Sequence, residues 1–241
     1  MQGLVEVKDL HVRYGDYEAV KGVSFSLGKG EILGIVGESG SGKSTIAKTL
    51  MGLERPSSGT INIALGTKHQ ALSTSLQMIF QDAVGSLNPR MTVRQTLAEV
   101  LKIKQTNNPN NRTIEQLLDL VGLSSAVLDQ YPREMSGGQC QRISIARALA
   151  CEPEVLIADE PVSALDVSVQ ARILNLLRDL RRDLGLSILL IAHDLAVVKN
   201  VCDRICVMEH GLFVDVGDAE EVFDHPTSEY TKRLLAAVPR I

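Results

Sequence analysis

The sequence contains no tryptophan, and aromatic residues make up only 3% of it. Hydrophobic residues nevertheless account for 44% of the 241 positions, so the chain can build a well-packed core, and that core must be aliphatic. This composition excludes intrinsic disorder. The length corresponds to one large domain or to one domain that carries a subdomain.

The chain also lacks an excess of basic residues. It has 25 Lys and Arg against 29 Asp and Glu, which gives a net charge of -4. A general nucleic-acid-binding surface would show a basic excess, so we expect no nucleic-acid partner. A net charge of -4 still allows one local basic patch on the surface.

Long apolar runs and a secretory signal are missing as well. The longest apolar run, residues 187–192, has the length of a strand and falls far short of the roughly 18 residues that span a bilayer. We expect the four cysteines to be free thiols in a reducing compartment. Cys202 and Cys206 have the spacing of metal ligands on a helix, but the apolar run at 205–208 predicts a strand and two buried thiols.

Apolar runs bounded by turn residues predict an α/β core. In chain order, the predicted core elements are an edge strand at 4–7, a buried strand at 31–36, a helix at 43–53, a strand at 155–158, a helix at 168–184 and a strand at 187–192. The last three form a strand–helix–strand unit, which places its two strands parallel in one sheet.

The middle of the chain differs because strand patterns stop near Val84. Helical patterns follow at 93–104, 113–121 and 138–150, and the polar stretch at 105–111 predicts a loop. We therefore expect one domain, in which a core of residues 1–83 and 153–241 is interrupted by a helical subdomain of residues 84–152. The tail from Gly217 predicts short helices only.

Residues 37–45 read GESGSGKST, which fits the phosphate-binding pattern G-x-x-x-x-G-K-[ST] between a predicted strand and a predicted helix. Glycines let consecutive backbone N–H groups turn toward an anion, and the helix dipole adds to the attraction. Lys43 is expected to reach the β- and γ-phosphates, and the Ser44 hydroxyl to bind Mg²⁺. A chance Gly/Ser turn is the alternative, which the strand–loop–helix context disfavours. The other predicted nucleotide-binding residues of this loop are Gly37, Glu38, Ser39, Gly40, Ser41, Gly42 and Thr45.

The strand predicted at 155–158 leads into two acids, Asp159 and Glu160. Ligands of open α/β sheets bind at the carboxyl ends of the strands. We expect Asp159 on the Mg²⁺ side of the site and Glu160 beside the water that attacks the γ-phosphate. An acid that merely caps a strand is the alternative, and the phosphate loop disfavours it. ATP and Mg²⁺ are thus the expected substrate and metal.

The segment Ser136, Gly137, Gly138 and Gln139 begins the helix predicted at 138–150. Ser136 and Gln139 have the spacing of a capping box, yet two glycines cost the helix roughly 1 kcal/mol each relative to Ala, and a plain cap would not need them. Glycines bare backbone N–H groups for a phosphate. The helix is on the order of 20 Å long and leads toward Asp159, so it holds Ser136 away from the phosphate loop of its own chain. An ATP that Ser136 touches therefore belongs to another subunit.

In this order, the phosphate loop, residues 135–139 and the Asp159–Glu160 pair resemble the ATP-binding subunits of ABC transporters, over essentially the whole chain. The resemblance implies a P-loop NTPase core with a mainly parallel sheet, an N-terminal antiparallel β part and an inserted helical subdomain. It also implies two ATPase subunits, identical or paralogous, that sandwich two nucleotides head-to-tail. By resemblance, Tyr14 stacks on adenine, Gln81 senses the metal and the membrane partner, Asp166 lies in a loop that touches the opposing subunit, and His193 contacts the γ-phosphate.

Residues 86–91 and 225–235 are similar to the dipeptide, oligopeptide and nickel importer branch of that family. This implies a peripheral motor at the cytoplasmic face of the inner membrane, bound to transmembrane permease subunits and, through them, to a solute-binding protein. Cys140 and Met135 depart from the residues usual in the family, and we expect both to be tolerated because neither supplies a phosphate ligand. The chain stops at Ile241, where many relatives carry an extension, some with metal-binding cysteines, so the sequence gives no basis for predicting an iron–sulfur cluster.

Three other functions are weighed against the importer. A soluble ABC-type ATPase of a carbon–phosphorus bond-cleaving complex stays open, because the same branch resembles it. A DNA-linked ATPase of the SMC or repair type needs a long heptad insertion before Ser136, and the sequence has none. A degenerate, binding-only subunit is disfavoured because the full set of chemical residues is present, namely Lys43, Gln81, Asp159, Glu160 and His193.

Overall fold

The computed structural model describes residues 3–64, 75–105 and 112–237. In chain order, the helices and strands are β1 (Val5–Tyr14), β2 (Tyr17–Leu27), β3 (Ile32–Val36), α1 (Lys43–Leu50), β4 (Ser58–Ile63), β5 (Leu76–Ile79), α2 (Val93–Gln105), α3 (Ile114–Leu120), α4 (Gly137–Leu149), β6 (Val155–Asp159), α5 (Val167–Leu184), β7 (Ser187–Ala192), α6 (Leu195–Lys199), β8 (Arg204–Glu209), β9 (Leu212–Asp218), α7 (Ala219–Asp224) and α8 (Glu229–Ala237). Apart from Gln105, the loop predicted at 105–111 lies outside the described residues.

The N-terminal half contributes a three-stranded antiparallel sheet with the order β2-β1-β4. The prediction of an edge strand at residues 4–7 is wrong, because β4 returns from later in the chain and pairs with the second edge of β1. Buried Val5 and Val7 alternate with Glu6 because one face of the sheet is buried. Central and edge strands both show this alternation, so it does not distinguish between them.

The larger sheet has six strands in the order β5-β6-β7-β3-β8-β9. All neighbours pair in parallel except β9, which runs antiparallel to β8. Strands β3, β6 and β7 are buried along their whole length, as their continuous apolar runs predict. The predicted parallel β6–α5–β7 unit is confirmed. The mixed α/β fold, with an antiparallel part and a mainly parallel sheet, is confirmed with it.

Helices cover the middle of the chain, and the structure contains no strand between residues 84 and 105 or between 112 and 152. The apolar sides of these helices join those of α5 and one face of the large sheet in a single cluster, which includes Leu97, Leu117, Ile143 and Ile173. The helix predicted at 43–53 ends earlier, at Leu50. Its end is set by Gly52, whose φ of 72° reverses the chain while its N–H donates to the Thr49 carbonyl.

The four cysteines are free thiols, and three of them are buried. Burial raises the pKa of Cys206, in β8, to about 12, and it also raises the pKa of Cys202. Both thiols therefore stay protonated and pack as small apolar groups. Among the described residues, no three His, Cys, Asp or Glu side chains cluster as a metal site would require. Within the same ranges, every helix is too short or too polar to cross a bilayer.

The C-terminal helix α8 is attached to the large sheet through Asp215 of β9. The Asp215 carboxylate accepts hydrogen bonds from the backbone N–H groups of Thr227 and Ser228, each at 3.1 Å, and from the hydroxyls of Thr227 and Thr231. Burial alone raises the pKa of Asp215, but these hydrogen bonds together outweigh it and lower the pKa to about 2. The charged form of Asp215 therefore stabilises the folded state.

We predict that Asp215→Asn lowers the free energy of unfolding by about 2 kcal/mol at pH 7. Because the folded pKa lies below the unfolded value, this stabilisation is fully present above about pH 4 and is lost as the pH falls toward 2. Urea unfolding of wild type and variant at several pH values measures it. Asp224→Asn, which alters an exposed carboxylate at the end of α7, is the control. A difference that does not shrink in acid would contradict the assignment.

Candidate nucleotide site

Four neighbouring strands of the large sheet end at one edge and deliver the predicted site residues there. Gln81 follows β5, the Asp159–Glu160 pair ends β6, His193 follows β7, and the phosphate loop follows β3. All of them except Gly37, Ser41 and Asp159 line a cavity of about 530 Å³. Its lining residues are Tyr14, Tyr17, Ala19, Glu38, Ser39, Gly40, Gly42, Lys43, Ser44, Thr45, Gln81, Glu160 and His193. Its position at the carboxyl ends of parallel strands is the usual ligand site of such sheets.

The phosphate loop runs so close to neighbouring backbone that two of its glycines have no room for a side chain. A Cβ on Gly37 would lie 2.1 Å from the Met208 carbonyl oxygen. Gly42, with φ of 111°, would place a Cβ 2.4 Å from the Ala19 carbonyl oxygen. Gly42 immediately precedes α1, so the tight turn brings the N-terminus of that helix to the cavity.

Lys43 is buried under the loop, with only 3% of its surface exposed. Its ammonium group donates to the carbonyl oxygens of Gly37 at 2.7 Å and Glu38 at 2.8 Å. Burial lowers the pKa of Lys43, and the nearby charges of Glu160, Asp159 and Glu38 oppose that shift. The loop carbonyls thus hold a cation at the wall of the cavity.

Ser44 and Asp159 meet across the space between α1 and β6. The Ser44 hydroxyl donates to Asp159 Oδ1 at 2.9 Å. Asp159 is 5% exposed, and burial raises its pKa against the opposing effect of the Ser44 hydrogen bond. A second cavity, of about 640 Å³, adjoins the first and is lined by Ser44, Asp159 and Gln81, among others. Hydroxyl and carboxylate oxygens are ligands that Mg²⁺ prefers. This set of oxygen donors fits a magnesium ion.

Glu160 occupies a strained backbone position at the end of β6. Its φ of 45° lies in the left-handed region, and its N–H donates to the Ile191 carbonyl at 3.0 Å. The carboxylate oxygen Oε2 accepts a hydrogen bond from Gln81 Nε2 at 3.0 Å and lies 3.4 Å from His193 Nδ1. The side chain that follows β5 therefore holds the carboxylate by a hydrogen bond, and the side chain that follows β7 lies beside it.

Two tyrosines flank the opening of the cavity. Tyr14 ends β1 and is 44% exposed, and partial burial raises the pKa of its hydroxyl. Tyr17 begins β2, directly opposite Tyr14 in the hairpin, and is 61% exposed. Sequence reasoning missed Tyr17. It could have been predicted from the two-residue turn between the tyrosines, because such a turn places the two flanking residues side by side.

Ser136, Gln139 and Asp166 do not line this cavity. Ser136 is exposed and forms the capping box with Gln139: Ser136 N–H donates to Gln139 Oε1 at 2.9 Å, and Gln139 N–H to Ser136 Oγ at 3.3 Å. Asp166 is exposed just before α5. Of the predicted segment, only Gly137 reaches the adjoining cavity beside Asp159.

The structure adds a packing role for one glycine of this segment. A Cβ on Gly138 would lie 2.7 Å from Val169 Cγ1 in α5. A larger residue at 138 would displace the Val169 side chain, so the packing of α4 against α5 favours glycine there, whatever else the segment binds. Helix packing thus gives a second reason for glycine at 138, beside the phosphate-binding role that the sequence predicts.

A larger cavity, of about 810 Å³, lies between α3, α4 and α5 and contains none of the predicted residues. Its charges are partly paired within the protein. Arg182 contacts Asp179 and Asp183, and Arg142 donates to the carbonyl oxygens of Val121 and Gly122. The chemistry is concentrated at the smaller cavity.

Known proteins similar to this chain include several that are named for oligopeptide transport. The oligopeptide transport ATP-binding protein OppF of Lactococcus lactis subsp. lactis is 45% identical over 261 residues, covering 100% of this chain and 82% of its own. OppF of Escherichia coli is 47% identical, with coverage of 92% and 70%. OppD of Mycobacterium tuberculosis is 49% identical, with coverage of 94% and 38%.

Solved structures agree with this similarity. The cbiO1 protein of Clostridium perfringens, part of an ABC transporter complex, superimposes with a TM-score of 0.79 at 28% identity, covering 100% of this chain and 97% of its own. A dimeric ATP-binding cassette in a post-hydrolysis state with ADP and Pi gives 0.74 at 27% identity, with coverage of 89% and 98%. The family model described as ABC transporter matches residues 20–163. Together with the loop and the carboxylates at one sheet edge, these matches place the chain in the ABC transporter ATP-binding family.

Proposed function

We propose that this chain is the ATP-hydrolysing motor subunit of an ABC importer that takes up oligopeptides or a similar small solute. The observation that carries the proposal is the convergence of Lys43, Ser44, Asp159 and Glu160 at one sheet edge. The names of the relatives that are 45–49% identical favour an importer over the soluble carbon–phosphorus alternative.

ATP binds with its phosphates against the loop and its adenine against Tyr14. The N-terminus of α1 supplies backbone N–H groups and the positive end of a helix dipole. Lys43 exchanges its loop carbonyls for the β- and γ-phosphate oxygens, so a buried cation meets a buried anion. The remaining loop residues, 37–42 and Thr45, shape the cradle.

Ser44, Asp159 and Gln81 hold the metal side of the site. When bound, Mg²⁺ neutralises charge on the phosphate oxygens. The Ser44 hydroxyl and the Asp159 carboxylate, 2.9 Å apart, offer oxygen ligands from two elements that the core holds together. Gln81 links this side of the site to Glu160 through its amide nitrogen.

Glu160 accepts the proton of the attacking water. Its carboxylate is already oriented by the hydrogen bond from Gln81, so it need not reorganise when the water attacks. His193, 52% exposed at the rim, is free to turn toward the γ-phosphate.

We predict that Glu160→Gln slows ATP hydrolysis by at least about a hundredfold while ATP still binds, since glutamine keeps the shape of the side chain but removes the base. Phosphate release, from the chain alone and mixed with a paralogous ATPase subunit, and equilibrium ATP binding measure the two effects. Glu115→Gln, on an exposed turn of α3, serves as the control and retains wild-type hydrolysis. Unimpaired turnover in Glu160→Gln would refute the assignment of the base.

The complete site is composite. Ser136 to Gln139 and Asp166 act on the nucleotide held by a second ATPase subunit, identical or paralogous. Two features support this: Ser136 is exposed and absent from its own chain's cavity, and a similar cassette was solved as a dimer with ADP and Pi. The capping box uses the Gln139 N–H, so the N–H groups of Gly137 and Gly138 are the ones that remain for a phosphate on the partner.

We predict that Glu160→Gln protein dimerises when ATP is added, because trapped ATP bridges the loop of one chain and Ser136 of the other. Size-exclusion chromatography with and without ATP tests this, on the chain alone and mixed with its paralogous ATPase. Ser136→Arg in the same background should stay monomeric, since a bulky cation fills the space of the phosphate. A strict monomer under all conditions would count against the composite site.

Transmembrane permease subunits dock beside Gln81, which places the chain peripherally at the cytoplasmic face of the membrane. The helical subdomain, residues 84–152, contributes one side of the docking surface. Phe80 and Val84 support this position because they are 38% and 49% exposed at the adjoining cavity. Apolar side chains exposed at a cavity rim are typical of a protein interface.

We predict that Val84→Asp abolishes co-purification of the permeases from detergent-solubilised membranes, because the new charge would be desolvated in the interface. Val216→Asp is a matched control: this valine is also 49% exposed, but it lies in β9 at the opposite edge of the sheet. The permeases should co-purify with the Val216→Asp control as well as they do with the wild type. Equal recovery with Val84→Asp would move the docking surface elsewhere.

A further inference from the structure

The C-terminal helix α8 touches the phosphate loop through one side chain. Tyr230 lies in the first turn of α8 and is 5% exposed. Its Oη accepts a hydrogen bond from the backbone N–H of Glu38 at 2.9 Å. Tyr230 does not line the nucleotide cavity, so its contact with the loop comes from behind.

The same peptide group is held at its other end by Lys43. The peptide that joins Gly37 to Glu38 offers the Gly37 carbonyl oxygen to Lys43 Nζ at 2.7 Å and the Glu38 N–H to Tyr230. Rotation of this peptide plane would break both hydrogen bonds at once. When Lys43 leaves its carbonyls for a phosphate, the bond to Tyr230 is the one that keeps the peptide in place.

Tyr230 is itself firmly positioned. Asp215 binds residues on both sides of it, Ser228 and Thr231, and thereby fixes the first turn of α8 to β9. The Arg233 guanidinium lies 5.8 Å from the centre of the Tyr230 ring. Burial raises the pKa of Tyr230, so its hydroxyl stays neutral at physiological pH. A rigid acceptor therefore faces the loop.

We infer that Tyr230 is a positioning residue that pre-organises the phosphate loop by fixing the Gly37–Glu38 peptide, so that helix α8 contributes to ATP affinity from outside the cavity. The inference rests on the proposed nucleotide site. Without the phenol oxygen, the Glu38 N–H must find another partner, and the peptide rotates among several orientations. The apparent Kd then rises in inverse proportion to the fraction of loops in the binding conformation.

The test uses Tyr230→Phe in the Glu160→Gln background, which keeps the ring and removes only the oxygen. We expect the Kd for ATP and for ADP to rise about three- to tenfold, with the nucleotide-free Tm changed by no more than about 2 °C. Titration calorimetry and thermal unfolding give the two readouts. Lys232→Gln, on the same helix, removes an exposed ammonium paired with Glu229 and should leave the Kd unchanged.

Asp215→Asn provides a second variant, because it loosens the first turn of α8 without touching the loop. It should raise the Kd for ATP in the same direction, measured at a temperature where the protein is folded. In the unsubstituted chain, the Glu38 amide should be protected from hydrogen exchange, which tests the contact even if Tyr230→Phe fails to fold. Rapid exchange of that amide would overturn the inference.

Lys43→Ala separates failure of this inference from failure of the nucleotide site. If Lys43→Ala abolishes ATP binding and Tyr230→Phe leaves the Kd unchanged, the site stands and the positioning role falls. A lower Tm without a change in Kd would likewise reduce Tyr230 to a packing residue. If Lys43→Ala binds ATP as tightly as the unsubstituted chain, the proposed nucleotide site itself is wrong.

Discussion

Parallel pairing of β5, β6, β7 and β3 is the constraint on which the site depends. Ile79 pairs with Ala158, Asp159 with Ile191, and Val36 with Ala192, so the four strands end at nearly the same level. The phosphate loop, Gln81, the Asp159–Glu160 pair and His193 all lie within a few residues of that level. A slip of one residue would turn each side chain to the opposite face of the sheet. Burial on both faces of β3, β6 and β7 prevents such slips.

The second constraint is electrostatic. Lys43 and Asp159 are nearly fully buried, and an unpaired buried charge costs several kcal/mol. The protein limits this cost by placing Lys43 against two carbonyl oxygens and near Asp159 and Glu160. Burial shifts the pKa of Lys43 downward and that of Asp159 upward, so each would gain from a partner of opposite charge. Phosphates and a divalent cation are such partners, so this cluster is a preformed binding site for them.

Glycines serve different purposes at the two motifs. Gly37 and Gly42 are required because a Cβ on either residue would clash with a backbone carbonyl oxygen, at 2.1 Å and 2.4 Å respectively. The loop could not adopt this conformation with a side chain at either position. Gly138 is favoured by the packing of α4 against Val169 of α5. Sequence spacing predicted glycine-dependent geometry at both places. It could not separate a packing requirement from a ligand requirement, because that difference depends on which helix lies opposite.

Local pattern determined much of this protein from sequence alone: the buried strands, the helices of the middle segment, the phosphate loop and the two acids at the end of β6. These features are encoded within short windows by apolar runs, turn residues and fixed spacings. Tertiary structure alone decided that β1 lies in the centre of its sheet, that Tyr17 joins Tyr14 at the cavity, and that Tyr230 supports a loop 192 residues earlier in the chain. Each of these depends on contacts between segments that are distant in the chain. Such contacts produce no periodic pattern, so they cannot be predicted from one amino-acid sequence.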